Sequence, residues 1–172
     1  MKTIFSLYAV IFFLFAGFAN AMADDREPQN LDLAVERGGK QYYYSQAGWE
    51  ALPDAQKNEC RKLGVVIRSR GASFILSLTT EGCMTWTEAM ERFPRSLPTK
   101  VMGEEIVHQA NAVRNAIKVF GGENEGSAFW TCSSADSPSV NDCAWIIAPG
   151  IARVFYESIT ITPNVRLVYP LE

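Results

Sequence analysis

The chain has 172 residues, of which 48% are hydrophobic and 20% are charged, and its formal net charge is −3 at pH 7. This is enough chain for one domain with its own apolar core. Acidic and basic residues are interspersed without a basic stripe. Because nonspecific binding to nucleic acid depends on clustered Lys and Arg, nucleic acid and anionic membrane surfaces are disfavoured as partners.

Residues 1–23 have the pattern of a secretory signal peptide. Lys2 precedes an apolar run from Ile4 to Ala16, and small residues follow at Ala19 and Ala21. The run is shorter than the roughly 20 apolar residues that a membrane-spanning helix needs. We therefore expect cleavage, no membrane insertion afterwards, and an exported protein that is periplasmic, secreted or on the cell surface.

Two tryptophan–cysteine pairs mirror each other near the C-terminus, Trp130-x-Cys132 and Cys143-x-Trp145. One antiparallel register places Cys132 opposite Cys143 and Trp130 opposite Trp145, with all four side chains on one face. Four cysteines in an exported chain indicate two disulfides. The register therefore predicts a Cys132–Cys143 disulfide, which closes a short loop and contributes roughly 3 kcal/mol.

The N-terminal part of the exported chain is polar at first. Residues 24–40 contain Pro28 and the pair Gly38-Gly39 and are predicted to form a flexible tail. Residues 41–62 are predicted as a lead-in strand and loop, beginning with a short strand at 41–45. Its three tyrosines favour packing at a sheet edge, with a carbohydrate-stacking surface as the alternative.

A hairpin is predicted from two β-rich runs, residues 64–67 and 73–78. Cys60 lies just before the first run and Cys83 just after the second. Since a hairpin brings its outer ends together, the second predicted disulfide is Cys60–Cys83.

Two helices follow. Thr85 and Glu88 have the spacing of a capping box that begins a helix ending near Arg92. After Leu97-Pro98-Thr99 a second helix is predicted, ending at Gly121-Gly122. Its apolar stripe consists of Ile106, Ala110, Val113, Ile117 and Phe120.

Four further strands are predicted, at Ala128–Ser133, Cys143–Ala148, Val154–Ser158 and Val165–Tyr169. The second of them is apolar on both faces and is expected to be a central strand. The fold class is thus α+β, with two helices against an antiparallel sheet closed by C-terminal strands.

Six motifs in order carry a family resemblance: Gly64-Val65-Val66, Thr85–Ala89, Leu97-Pro98-Thr99, Phe129–Ser134, Ala144-Trp145 and Val165–Val168. The series resembles a bacterial family of secreted domains of unknown function with a C-type-lectin-like fold, one branch of which is the C-terminal domain of a collagen-like adhesin. The resemblance covers residues 63–172 and implies that fold for them. Cys132 departs from the serine usual in the family, and Cys143 lies where relatives usually lack cysteine.

No catalytic or metal site is predicted. His108 is the only histidine and no G-x-S-x-G motif is present, so a Ser–His–Asp arrangement is disfavoured. Asn141-Asp142, with Asp136 nearby, partly resembles the calcium loops of C-type lectins. However, Val140 precedes Asn141, and turn residues that tolerate left-handed backbone explain the pair equally well. We expect no cofactor, no metal and no enzymatic activity.

Binding is the remaining function. The loop 133–142 connects two strands and is rich in Ser, Asp and Asn, which suits hydrogen bonding to sugars or protein backbone, although an ordinary solvated turn has the same composition. The candidate ligand-binding residues are Ser134, Asp136, Asn141 and Asp142. The sequence thus favours an extracytoplasmic binding or adhesion module for a glycan or a surface protein. The alternative is a structural subunit of a cell-surface or fimbrial assembly.

Overall fold

The structure, a computed structural model, describes residues 30–69, 72–123, 126–134 and 142–172. Its elements in chain order are strands β1 (Leu33–Arg37) and β2 (Lys40–Tyr44), helices α1 (Gln46–Glu50) and α2 (Asp54–Asn58), strands β3 (Arg61–Arg68) and β4 (Ser73–Ser77), helices α3 (Trp86–Arg92), α4 (Lys100–His108) and α5 (Ala110–Val119), strands β5 (Phe129–Ser134) and β6 (Cys143–Ala148), a 3-10 turn (Pro149–Ile151), and strands β7 (Arg153–Ser158) and β8 (Val168–Pro170).

The strands form two antiparallel sheets, which confirms the α+β class. The larger sheet has the order β2-β1-β3-β4-β8 and the smaller one β5-β6-β7. The predicted β3–β4 hairpin is confirmed, with Gly64 opposite Ser77. The central position predicted for β6 is also confirmed. Asn164, in the segment before β8, forms isolated bridges with Cys83 and with Phe129 of β5.

Strand β1 lies where the sequence led us to expect a flexible tail, whereas β2 confirms the short strand predicted at 41–45. Leu33, Ala34 and Val35 are fully buried, because β1 lies between β2 and β3 with side chains packed on both faces. Gly38 and Gly39 both have positive φ, 58° and 74°, and form the two-residue turn of the hairpin. Glycine adopts these conformations without steric cost, and such a turn matches the twist of the strands. Residues 24–29 lie outside the described residues.

The larger sheet is curved. Gln41 on β2 donates from Nε2 to the carbonyl oxygen of Pro170 on β8 at 3.1 Å, although these are the two edge strands. In a flat sheet, four strand spacings of about 4.8 Å would separate those edges by about 19 Å. The concave side therefore encloses a small cluster of Ala34, Leu63, Val66, Ile75, Tyr43, Tyr169 and Leu171.

The C-terminal residues connect the two edges. The Tyr43 hydroxyl lies 2.6 Å from Gln41 Oε1 and 3.1 Å from the carbonyl oxygen of Glu172, whose backbone N–H donates to Gln41 Oε1 at 3.1 Å. A register shift between Ala34 and Val35 in the pairing of β1 with β3 adds local twist to this curvature. We call the contacts among Gln41, Tyr43 and Glu172 the edge clasp.

We expect Tyr43→Phe to lower the free energy of unfolding by about 1 kcal/mol, because it removes the hydroxyl from the edge clasp and leaves the ring in place. Tyr44→Phe is the matched control, since no hydrogen bond is seen from that hydroxyl within the described residues, and it should change stability by less than about 0.5 kcal/mol. Urea denaturation of both variants measures the difference. Equal losses would contradict a role for the Tyr43 hydroxyl.

Helix α5 packs on β3 at the convex side of the larger sheet, whereas α4 packs mainly on the smaller sheet, against β5, β6 and β7. The predicted apolar stripe is confirmed, since Ile106, Ala110, Val113, Ile117 and Phe120 are all buried. The helix predicted as continuous is divided at Gln109, whose φ and ψ of −107° and 23° depart from helical values. The spacing of apolar residues does not reveal this one-residue interruption of the helix, because the apolar stripe continues on the same face after it. Gly103 brings α4 against β6, where an added Cβ would lie 2.6 Å from the Ile147 side chain.

The capping box of α3 is confirmed. The Glu88 backbone N–H donates to Thr85 Oγ1 at 3.3 Å, and the Thr85 backbone N–H donates to Glu88 Oε2 at 2.8 Å. Hydrogen bonds from the backbone N–H and then from the hydroxyl of Thr85 lower the pKa of Glu88. Within the described part of the chain, no helix is both long enough and apolar enough to cross a membrane.

Candidate functional site

The β5–β6 hairpin departs from the register predicted for it, by one residue at Trp130 and by three at Ser134. Trp130 lies opposite Ile146 instead of Trp145, and after an irregularity Ser134 lies opposite Ala144. Since side chains alternate across a strand, a shift of one residue moves the partner side chain to the other face. Trp130 is fully buried, while Trp145 is half-buried on the opposite side of the sheet. The predicted tryptophan-to-tryptophan pairing is wrong.

The cysteines are not bonded to one another, so both predicted disulfides are wrong. Cys132 packs with the cluster around Trp130, whereas Cys143 lies on the face of β6 that carries Trp145. In the second predicted disulfide, Cys60 and Cys83 also have other neighbours. Cys60 Sγ lies 3.2 Å from the carbonyl oxygen of Gln56 in the preceding helix α2. Cys83 Sγ lies 3.7 Å from Asn164 Oδ1.

Trp145 instead forms an aromatic corner with Tyr156, which lies directly opposite it on β7. The two ring centroids are 5.6 Å apart and the ring planes meet at 88°. Tyr156 is 49% exposed. Edge-to-face pairs of this kind are favourable, and cross-strand pairing holds both rings in place. The exposed Tyr156 ring and the half-buried Trp145 ring therefore lie together on one side of the small sheet.

A charged pair from α4 completes this surface. Lys100 Nζ lies 4.3 Å from the centroid of the Trp145 ring and 3.3 Å from Glu104 Oε1. Lys100 is the first residue of α4, and its backbone N–H donates to Ser133 Oγ at 3.1 Å. This bond connects the start of the helix to the end of β5. We call Trp145, Tyr156, Lys100 and Glu104 the aromatic site.

The candidate loop residues lie beside this surface only in part. Ser134 ends β5, is exposed, and pairs with Ala144. Asp142 is exposed, has a positive φ of 64°, and its carbonyl oxygen accepts from the backbone N–H of Ile159 at 2.9 Å. Asp142 thus has the left-handed turn conformation expected of its residue type. Asp136 and Asn141 lie outside the described residues.

His108 is exposed at the end of α4. Among the described residues, no three His, Cys, Asp or Glu side chains converge as ligands for a metal ion.

The three tyrosines of β2 serve packing. Tyr42 and Tyr44 pack against the main core on the convex side, where Tyr44 contacts Trp49 with ring centroids 6.0 Å apart. Lys62 Nζ lies 5.4 Å from the Trp49 ring. Tyr43 faces the concave cluster and belongs to the edge clasp. This confirms the packing interpretation of the tyrosine run.

Comparison of the chain with protein-family models, with curated proteins and with solved structures finds no match.

Proposed function

We propose that this protein is a non-catalytic binding module that recognises glycans at the aromatic site. The observation that carries the proposal is the perpendicular pair formed by the exposed Tyr156 ring and the half-buried Trp145 ring, on strands that adjoin the β5–β6 loop. Aromatic side chains offer a large contact area at little entropic cost, and Tyr and Trp have polar tips for hydrogen bonding. A sugar ring has apolar C–H faces and hydroxyl edges, which suit such a corner.

The base of the neighbouring loop adds polar groups. Ser134 and Asp142 lie at the two ends of this loop, and both are exposed. A few polar groups beside an aromatic surface can orient a ligand and discriminate between similar ligands. A surface protein is the other ligand class that this combination suits.

The proposal includes export, which rests on the signal-peptide pattern of residues 1–23. The unbonded cysteines give it no additional support. A C-type-lectin-like relationship remains part of the hypothesis for residues 63–172. It is supported by the order of the six sequence motifs and by the α+β arrangement of helices and antiparallel strands around them.

We expect the full chain to bind members of a glycan array, and expect Trp145→Ala and Tyr156→Ala each to weaken that binding at least about tenfold. Affinities for the glycans that respond are then measured by titration calorimetry. Trp49→Ala is the matched control, because Trp49 is also half-buried and aromatic but lies in the cluster beside β2. It should leave the affinity unchanged.

The outcomes separate the hypotheses. Silence across the array would overturn glycan binding, and concentration-dependent self-association in the same samples would then favour a structural subunit. Binding that survives Trp145→Ala would place the ligand elsewhere on the molecule. Repeating the array with a chelator tests calcium, and chelator-sensitive binding would contradict the expectation of a metal-free site.

A further inference from the structure

We propose that the aromatic site selects sugars that carry a carboxylate on the ring, through displacement of Glu104 from Lys100. This inference rests on the proposed glycan-binding function and adds the chemical class of the ligand. It follows from the position of one ammonium group over the indole ring.

The Lys100 ammonium covers part of the surface that a ligand needs. Its Nζ lies 4.3 Å from the Trp145 ring centroid, which is within the range of a cation–π contact. A sugar that stacks on that ring face must move the ammonium aside or bind beside it. The ammonium is therefore the charged group closest to a ligand stacked there.

The contacts that hold the ammonium are exchangeable. The Lys100 and Glu104 side chains are 41% and 54% exposed, and they form an i, i+4 pair with Nζ and Oε1 3.3 Å apart. Exposed pairs of this kind are weak because water competes for both charges. The main chain of Lys100 is fixed by its bond to Ser133, so the flexible stem alone has to move.

Displacing the Lys100 ammonium costs more free energy for a neutral sugar than for an acidic one. A neutral ring gains stacking on Trp145 but must displace the ammonium without replacing its partners. A carboxylate on the ring can accept a charge-assisted hydrogen bond from Nζ in place of Glu104, so the ammonium keeps a counter-ion while it leaves the ring. Lys100 is also the first residue of α4, where the helix dipole favours a negative charge.

An acidic ligand must compete with the protein's own carboxylates for the Lys100 ammonium. The protein as a whole is acidic, with a formal net charge of −3, and Asp142 is an exposed carboxylate at the loop base. Glu104 is the carboxylate that already contacts Lys100. Removing the Glu104 charge should therefore strengthen the binding of an acidic ligand, whereas removing the Lys100 charge should abolish the preference for one.

The test uses the full chain and an array that carries oligogalacturonate, hyaluronan and sialyllactose fragments, each beside its methyl ester, together with neutral oligosaccharides and a polyglutamate peptide. The inference predicts that an acidic form binds at least about tenfold more tightly than its ester. Glu104→Gln should raise the affinity for the acidic form several-fold and leave that for the ester unchanged. Lys100→Gln should make acid and ester equal, and Lys118→Gln, on the exposed face of α5, is the charge-matched control.

Each result decides between the two proposals. Equal binding of acids and esters, or binding of neutral sugars alone, would overturn the inference and leave glycan binding at the aromatic site intact. Failure of every sugar to bind would overturn both. Binding of polyglutamate without any sugar would show that the site takes acidic peptides, which also contradicts the inference. An acid preference that Lys100→Gln does not change would place the carboxylate contact on another residue.

Discussion

Trp130→Ala is expected to lower the free energy of unfolding by about 3–5 kcal/mol, whereas Trp145→Ala should lower it by about 1 kcal/mol. Trp130 is fully buried, and its indole Nε1 donates to the carbonyl oxygen of Met84 at 3.0 Å. Its removal leaves a large cavity and a buried carbonyl without that donor. Trp145 is half-buried beside Tyr156, so water can fill much of the space that its ring leaves.

Urea denaturation followed by far-UV circular dichroism measures both variants without depending on tryptophan fluorescence. The two substitutions are chemically identical and lie on paired strands of one hairpin, so each is the control for the other. Equal losses of stability would contradict the observed register and would favour the predicted arrangement, in which both rings lie on one face.

In the same hairpin the sequence pattern predicts the bounds of the strands but not their register. The predicted strands 128–133 and 143–148 agree with β5 and β6 to within one residue. The pairing failed because the mirror of Trp and Cys assumes a regular ladder, whereas the register changes between Trp130 and Ser134. An irregularity of this kind is set by how both faces of the strand pack. Local residue types carry no signal for it.

Strand β1 was missed for a different reason, whereas β2 was predicted as the short strand at 41–45. A signal for β1 was present, because Gly38-Gly39 between two short runs is typical of a two-residue hairpin turn. The apolar run around Leu33 is short and flanked by charged residues, so the average hydropathy of the segment 24–40 is polar. Its burial requires β3, which is distant in sequence, on one side as well as the adjacent β2 on the other.

The aromatic site could be predicted only in part. The sequence indicated the β5–β6 loop as a candidate and singled out Trp145, although as the partner of Trp130. It did not indicate Tyr156 or Lys100, since these join Trp145 through the pairing of β7 with β6 and through the docking of α4. Once β6 and β7 are paired, the partner of Trp145 follows from counting along the hairpin. The position of Lys100 depends on tertiary packing and has no local signal.

Arg166 is the residue whose role departs most from what its local pattern indicates. In a strand with alternating faces, an arginine between valine and leucine would point to solvent. Here Val165, Arg166 and Leu167 are all buried, because this segment lies between the two sheets before β8 begins at Val168. Arg166 Nη1 donates to the carbonyl oxygen of Ser77 at 2.6 Å.

The Arg166 guanidinium also contacts two other parts of the interior. Its Nη2 donates to the carbonyl oxygen of Glu123, in the segment after α5, and its guanidinium carbon lies 5.9 Å from the centroid of the Phe129 ring on β5. A planar guanidinium can serve several acceptors in fixed directions, which a lysine ammonium on a flexible stem cannot reproduce. One side chain therefore connects the larger sheet, the segment after the helices and the smaller sheet.

We expect Arg166→Met to lower the free energy of unfolding by about 3 kcal/mol or more, since it removes the donors of two backbone carbonyls in the interior. Arg166→Lys should recover a minor part of this loss, because a single ammonium can reach one of the two carbonyls. Arg153→Met is the control, as Arg153 is exposed on β7, and it should change stability by less than about 0.5 kcal/mol. Chemical denaturation of the three variants measures these differences. Should Arg166→Met unfold at the same denaturant concentration as the unaltered chain, the connection between the two sheets through Arg166 would contribute nothing to the fold.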